Sequence, residues 1–181
     1  NRYVVSGDED GTIIVHSTKT GIVEYRVDNV FIRVKGLCYL PNDSLVACGY
    51  SNEGTHLKIL SPSLKLVQNL EGHDGEVNCV AVSPSGSHCV SGGYQQVIIW
   101  SESGEGGEWA RVQVLEDHTD WIRAVCFSPD GKQLATGSFD KLINLYSFNE
   151  GSAILAHTLE GHTHWVYSLS FSPDCKLLCS G

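Results

Sequence analysis

The sequence predicts an all-β fold in which a small antiparallel sheet is repeated along the chain. The stretch from Leu115 to Ser147 shows the repeat best, since three apolar runs of strand length are separated there by turn residues. Proline marks the period, because Pro41, Pro84, Pro129 and Pro173 are separated by 43, 45 and 44 residues. A period in the low forties with about four strands per unit is typical of a β-propeller.

The first strand of each unit ends just before the proline and has no polar face. In the best-defined unit, Ile122, Val125 and Phe127 are large and apolar, and small residues lie between them. A strand that is covered on both faces gives this pattern, as when one sheet is packed between two others.

Three further strands complete each unit. The second strand ends at a glycine that recurs at Gly7, Gly49, Gly92, Gly137 and Gly181. The third strand closes on a serine that recurs at Ser17, Ser61, Ser101 and Ser147. The fourth is more polar, as expected of an outermost strand whose mixed character protects an exposed edge.

The period divides the single propeller segment 1–181 into three full blades and two partial ones. The full blades span residues 28–70, 71–115 and 116–159, and the partial blades span 1–27 and 160–181. Since propellers close with four to eight blades, we expect further repeats, or association with another chain, to complete the ring.

Composition excludes several classes of protein. Twelve basic against 21 acidic residues give a net charge of −9, which disfavours binding to nucleic acid. No run of 18 apolar residues is present, so no membrane span is predicted. Seven cysteines without a Cys-x-x-Cys pair indicate reduced thiols rather than disulfides or a zinc site. These features indicate the cytoplasm, with the nucleus as the alternative.

The loops before the first strands carry a family resemblance. Leu-Glu-Gly-His stands at Leu70–His73 and at Leu159–His162, and Leu-Glu-Asp-His stands at Leu115–His118. With the following Ser-Pro-Asp-Gly turn, the Ser-Gly end of the second strand and the aromatic that closes the third, this pattern resembles the WD-repeat β-propeller family. The resemblance covers essentially the whole chain and is strongest in the last three units.

The resemblance implies a structural hydrogen-bond network within each blade. In the family, a His before the first strand, a Ser or Thr on the second, an Asp in the next corner and a Trp form it. The matching residues are Asp10 in the first unit; His73, Ser91 and Trp100 in the third; His118, Thr136 or Ser138, Asp140 and Tyr146 (in place of Trp) in the fourth; and His162 in the last. The third unit has no Asp in its corner, Gly93–Gln96, so its network is incomplete. A catalytic triad of the same residue types is the alternative, but a triad is defined by geometry.

At a second set of positions the residue type differs from one unit to the next, whereas the buried positions keep the same residue type, apolar or small. These positions begin the first strand or lie in the corner after the second, which in this family is the rim of the central opening. The candidate partner-binding residues are Trp121, Trp165, Arg123, Tyr167, Phe139, Tyr94, Arg33, Lys35 and Glu76. Trp, Tyr and Arg commonly anchor interfaces. The alternative is that Trp121 and Trp165 only pack against neighbouring loops.

These observations predict a protein-interaction scaffold that presents its rim to a protein or peptide. Arg33, Lys35 and Arg123 favour acidic or phosphorylated ligands. We expect no catalytic residue, no cofactor and no metal, since His162 and His164 have no further ligand near them in sequence. Two alternatives remain: a purely architectural segment of a large assembly, and an enzyme with a site in the central channel.

Overall fold

The computed structural model describes residues 2–52, 54, 56–103 and 107–181, and in this part of the chain every regular element is a β-strand. The strands are β1 (Tyr3–Gly7), β2 (Ile13–Ser17), β3 (Val23–Val27), β4 (Arg33–Tyr39), β5 (Leu45–Tyr50), β6 (Leu57–Leu60), β7 (Leu66–Asn69), β8 (Cys79–Val82), β9 (His88–Gly92), β10 (Val97–Ser103), β11 (Glu108–Leu115), β12 (Ile122–Phe127), β13 (Gln133–Ser138), β14 (Ile143–Asn149), β15 (Ser152–Leu159), β16 (Leu169–Phe171) and β17 (Leu178–Ser180). The predicted all-β fold is confirmed. Within these residues no helix is long and apolar enough to span a membrane.

The strands form five antiparallel sheets, each in chain order. Sheet 1 holds β1–β3, sheet 2 β4–β7, sheet 3 β8–β11, sheet 4 β12–β15 and sheet 5 β16–β17. The first strands lie side by side, with β4 next to β8, β8 next to β12 and β12 next to β16. The first strands therefore form the inner row, and the fourth strands lie on the outside, as in propeller blades.

The hydrophobic core lies between consecutive sheets. On β10, Ile98 belongs to the cluster shared with sheet 2, and the next residue, Ile99, belongs to the cluster shared with sheet 4. Both side chains are fully buried, because neighbouring side chains of a strand point to opposite faces and both faces are covered. Strand β10, the third strand of sheet 3, is therefore covered on both faces.

Backbone hydrogen bonds tie the start of each first strand to the preceding sheet. The N–H of Ile122 donates to the carbonyl of Gly93 at 2.9 Å, and the N–H of Val166 donates to Ser138 at 3.0 Å. In sheet 5, the N–H groups of Tyr167 and Ser168 donate to the carbonyl of Gly181 just before β16 begins at Leu169. The bonds between sheets bring the corner of each sheet against the loop that enters the next sheet.

Candidate functional site

A buried hydrogen-bond network joins the loop before β12 to the corner after β13. The imidazole of His118 lies between two partners, with Nδ1 2.7 Å from Asp140 Oδ2 and Nε2 2.8 Å from Thr136 Oγ1. Asp140 Oδ2 also accepts the backbone N–H of Thr119 at 3.1 Å. Ser138, the alternative hydroxyl, instead accepts the N–H of Asp140. The structure therefore places Thr136 beside the imidazole and Ser138 in the corner.

The groups of this network are buried, with the side chains of His118 and Asp140 1% and 5% exposed. Burial raises the pKa of Asp140, but the N–H of Leu142, the imidazole of His118 and the N–H of Thr119 outweigh it, so that pKa lies below its ordinary value. The Thr136 side chain is fully buried and lies beneath the imidazole. A nucleophile must be accessible to its substrate, and the buried hydroxyl of Thr136 is not accessible.

Tyr146 occupies the position of the family's Trp but makes a different contact. Its hydroxyl donates to Asp117 Oδ2 at 3.1 Å, in the loop before β12. Burial and the Asp117 carboxylate raise the pKa of Tyr146 well above its ordinary value. In sheet 3 the indole Nε1 of Trp100 donates to Ser91 at 2.8 Å. Trp100 therefore bonds to the second strand of its sheet, β9, whereas Tyr146 bonds to the loop before the first strand of its sheet, β12.

The remaining network candidates are less complete. In sheet 3, His73 Nε2 lies 2.7 Å from Ser91 Oγ, and burial lowers the pKa of His73 to about 4. In sheet 5, His162 Nε2 lies 2.7 Å from Ser180 Oγ. Asp10 is exposed in the turn after β1, where its N–H donates to Asp8 Oδ1. The structure therefore does not place Asp10 in a histidine network; the carboxylate that orders this turn is that of Asp8.

Five of the predicted rim side chains form two aromatic groups, which we call the aromatic face. Phe139 stacks on Trp165 with ring centroids 4.1 Å apart, and Tyr167 packs edge-on at 5.5 Å from Phe139. Tyr94 lies 5.0 Å from Trp121. Each contact joins the corner of one sheet to the loop entering the next, so the backbone bonds between sheets position the rings.

The rings differ in how much of their surface reaches solvent. Trp165, Tyr167 and Tyr94 are 42%, 50% and 52% exposed, whereas Trp121 and Phe139 are half-buried. Trp121 also accepts the N–H of Phe139 through its carbonyl at 2.9 Å. The packing alternative therefore describes Trp121 better than it describes Trp165.

The basic rim candidates have different surroundings. The guanidinium carbon of Arg123 lies 5.7 Å from the ring centroid of Phe139 and 5.9 Å from that of Tyr167, and Nη1 donates to Asn78 at 2.8 Å. Its buried Nε has no partner among the residues that the structure describes. Arg123 therefore belongs to the aromatic face and retains an unused donor.

The other charged rim candidates are Lys35, Glu76 and Arg33. Lys35 Nζ is 3.3 Å from Glu76 Oε1, so these two predicted rim charges offset each other. Arg33 is exposed at the start of β4, where it pairs with Tyr50 of β5. Asn78, which holds Arg123, was not among the predicted contact residues; as an uncharged side chain it carried no signal of its own.

The cysteines are all unpaired. Burial raises the pKa of the Cys79 thiol to about 12 and that of Cys126 to about 11. Such thiols stay protonated near neutral pH, and a protonated thiol is a poor nucleophile and metal ligand. Across the described ranges, no group of three or more His, Cys, Asp or Glu side chains is placed to hold a metal ion. Cys179, on β17, is exposed.

The family model described as "WD domain, G-beta repeat" matches residues 64–101, 109–147 and 154–181. These segments make up more than half of the chain, so the protein belongs to the WD-repeat family, and the resemblance seen in the sequence is confirmed. The chain is similar to small ribosomal subunit protein RACK1z of Oryza sativa subsp. japonica, with 57% identity over 42 residues. It is also similar to small ribosomal subunit protein RACK1 of Glycine max and of Medicago sativa, with 55% identity over 42 residues each. Each match covers 23% of this chain and only 13% of the relative.

Proposed function

We propose that the protein is a protein-interaction scaffold whose aromatic face captures a peptide or protein partner. The observation that carries this proposal is the stacked pair of Phe139 and Trp165 beside Tyr167, which leaves large ring surfaces exposed on a rigid sheet framework. Aromatic side chains contribute much contact area at a low cost in conformational entropy, which makes them frequent interface anchors.

We further propose that the ligand carries an acidic or phosphorylated group that lies next to the rings. Arg123 supports this choice, because its guanidinium borders Phe139 and Tyr167 and meets no carboxylate in the described part of the chain. Lys35 contributes less to the binding of an acidic ligand than its charge alone implied, because the Glu76 carboxylate offsets that charge. A charge-assisted hydrogen bond from Arg123 would fix the register of a peptide on the face.

We propose a non-catalytic role, and the burial of Thr136 and the protonated thiols support it. The relatives are named as proteins of the small ribosomal subunit, which supports a cytoplasmic location; the nucleus remains the alternative. We also propose that residues 28–70, 71–115 and 116–159 are the full blades of a ring that further repeats or another chain complete, since closure removes sheet edges.

Affinity capture with quantitative mass spectrometry tests the scaffold role. Trp165→Ala and Phe139→Ala should lower the recovery of specific partners at least fivefold, while the melting temperature falls by only a few degrees. Ile154→Ala is the matched control, because Ile154 is 70% exposed on the outermost strand of sheet 4, away from these rings. Equal recovery with Trp165→Ala and Ile154→Ala would contradict the proposal and favour an architectural role.

The ligand chemistry requires a separate measurement. Binding to arrays of otherwise identical acidic, phosphorylated and neutral peptides should favour the first two sets. Arg123→Met should remove that preference while leaving residual binding to the rings. A preference that survives in Arg123→Met would show that Arg123 does not read the charge.

A further inference from the structure

Counted within its closing backbone hydrogen bond, the corner between β9 and β10 is one residue shorter than the corner between β13 and β14. Both are closed by the same kind of backbone bond: the N–H of Gly93 donates to Gln96 at 3.0 Å, and the N–H of Ser138 donates to Leu142 at 3.3 Å. The first bond encloses two residues and the second encloses three. One residue of the longer corner therefore has no counterpart in sheet 3.

That residue is Asp140. Tyr94 and Phe139 correspond, because each packs its ring against the tryptophan of the next loop. Gln95 and Lys141 correspond, because each takes a left-handed backbone conformation, with φ of 59° and 75°. Asp140 is the one residue of its corner that remains unmatched.

In sheet 4, the carboxylate of Asp140 accepts two hydrogen bonds through one oxygen. The donors are His118 Nδ1 at 2.7 Å and the N–H of Thr119 at 3.1 Å. The same two donors are present in sheet 3 as His73 Nδ1 and the N–H of Asp74. No residue in the described part of the chain accepts a hydrogen bond from either of them.

The hydrogen-bond network in sheet 3 makes His73 Nδ1 a donor. Trp100 Nε1 donates to Ser91 Oγ, and the one hydrogen of that hydroxyl has His73 Nε2 as its neighbour at 2.7 Å. Among the described residues the Ser91 hydroxyl has no acceptor other than Nε2, so we assign the ring hydrogen to Nδ1. Burial lowers the pKa of His73 to about 4, so the ring is neutral at physiological pH.

A cavity of about 380 Å³ lies beside this donor. It is lined by His73, Asp74, Tyr94, Gln95, Glu116 and His118, among others. The cavity exceeds the ~30 Å³ that a water molecule occupies in the liquid, so it can admit a side chain. The two residues that carry these donors, His73 and Asp74, therefore line an opening that a partner can enter.

The charges around the cavity restrict what it can hold. Asp74 and Glu116 both line it, and Glu116 already accepts a hydrogen bond from Gln96 at 2.9 Å. Arg111 lies only in the adjoining groove. A further carboxylate would be repelled by the first two, and a cation would leave the His73 donor unused. A neutral oxygen acceptor satisfies both conditions.

We propose that this cavity binds a neutral carbonyl oxygen of a partner, from a carboxamide side chain or a main-chain carbonyl. The oxygen would accept from His73 Nδ1 and from the N–H of Asp74, as Asp140 does within sheet 4. The inference rests on the proposed scaffold function and deepens it, because Tyr94 belongs both to the aromatic face and to the cavity wall.

Nitrogen-15 NMR of the histidine side chains, with three small probes, tests the site on the intact chain. Acetamide should shift the His73 Nδ1 resonance saturably and leave the resonances of His157 and His162, which lie outside the cavity, in place. Acetate and ethylammonium, at equal concentration and ionic strength, should not shift it. A saturable response to either ion, or no response to acetamide, would overturn the proposal.

Two different variants test whether the acetamide response comes from the cavity beside His73. Inserting Asn between Tyr94 and Gln95 restores the length of the other corner and supplies a neutral oxygen; it should abolish the acetamide response and raise the melting temperature. His73→Phe should also abolish the response. An unchanged acetamide response in the folded insertion variant or in His73→Phe would show that acetamide binds elsewhere. Because the titration does not use the rings of Phe139 and Trp165, its failure would leave the Trp165 capture experiment to decide the scaffold role.

Discussion

The side-chain amide of Gln113 forms two hydrogen bonds with the backbone of Ala153, donating to its carbonyl at 2.9 Å and accepting its N–H at 2.8 Å. Gln113 lies on β11 of sheet 3, and Ala153 lies on β15 of sheet 4. Gln68 makes the same pair of bonds with Trp109, both at 2.8 Å, between sheets 2 and 3. An amide therefore fastens these sheets at their outer strands, opposite the inner row of first strands.

Replacing Gln113 by Leu should lower the free energy of unfolding by about 1–3 kcal/mol, because two hydrogen bonds are lost and the Ala153 backbone groups lose their partner. Urea denaturation measures the change. Gln96→Leu is the control, since its hydrogen bond to Glu116 is exposed and should contribute less than ~0.5 kcal/mol. Equal losses in the two variants would show that the amide does not fasten the sheets.

Asp140→Asn should lower the free energy of unfolding by about 1–3 kcal/mol at pH 7, because the buried imidazole and the N–H of Thr119 lose a charged acceptor. The pKa of Asp140 lies below its ordinary value of 3.8, so its contribution to stability is present above pH 3.8 and is lost as the pH falls below that value. The acid limb of the stability profile should therefore be shallower in Asp140→Asn. Glu160→Gln, at an exposed position, should leave the profile unchanged.

His73 should make the chain less stable in mild acid. Its pKa is about 4 in the folded protein and 6.5 ordinarily, so the unfolded chain binds the proton first as the pH falls. Stability should therefore fall between pH 6.5 and 4, by ~3 kcal/mol at ~1.4 kcal/mol per pKa unit, and the loss should level off below pH 4. His73→Asn should remove this decline, whereas His157→Asn, exposed on β15, should retain it. The readout is urea denaturation at a series of pH values, and a decline that persists in His73→Asn would contradict the assignment.

The glycines of two equivalent turns should differ in their tolerance of a side chain. Gly86 and Gly131 have φ of 77° and 71°, so either Ala variant should cost about 1 kcal/mol in backbone strain. A Cβ on Gly86 would lie 2.1 Å from Pro41 Cγ, whereas a Cβ on Gly131 would lie 3.5 Å from the nearest atom, in Pro84. Thermal unfolding should therefore show a larger loss of stability for Gly86→Ala than for Gly131→Ala. Equal losses of stability would mean that sheet 2 shifts at Pro41 to make room for the added Cβ.

Much of the local structure follows from the sequence, because each blade forms from residues close together in the chain. The glycines at the ends of the second strands, the apolar first strands and the histidines before the last three first strands recur with the period and could be predicted from one chain. The corner that lacks an Asp was also visible, since Gly93–Gln96 contains no carboxylate. The residues that line the resulting cavity, Gln95 and Glu116, were not predicted, because their proximity to His73 depends on how two loops and a corner meet.

The amino-acid sequence by itself determined the repeat, the order of strands in each sheet and the residue types that fasten a blade, since these depend on periodicity and local pairing. Only the tertiary structure decided that Thr136 rather than Ser138 meets His118, that Glu76 offsets Lys35, and that Arg123 joins Asn78 to the rings. The partners in the last two pairs are about 40 residues apart, on neighbouring sheets. Their contact depends on how one sheet packs against the next, and a pattern that repeats within each sheet does not specify it.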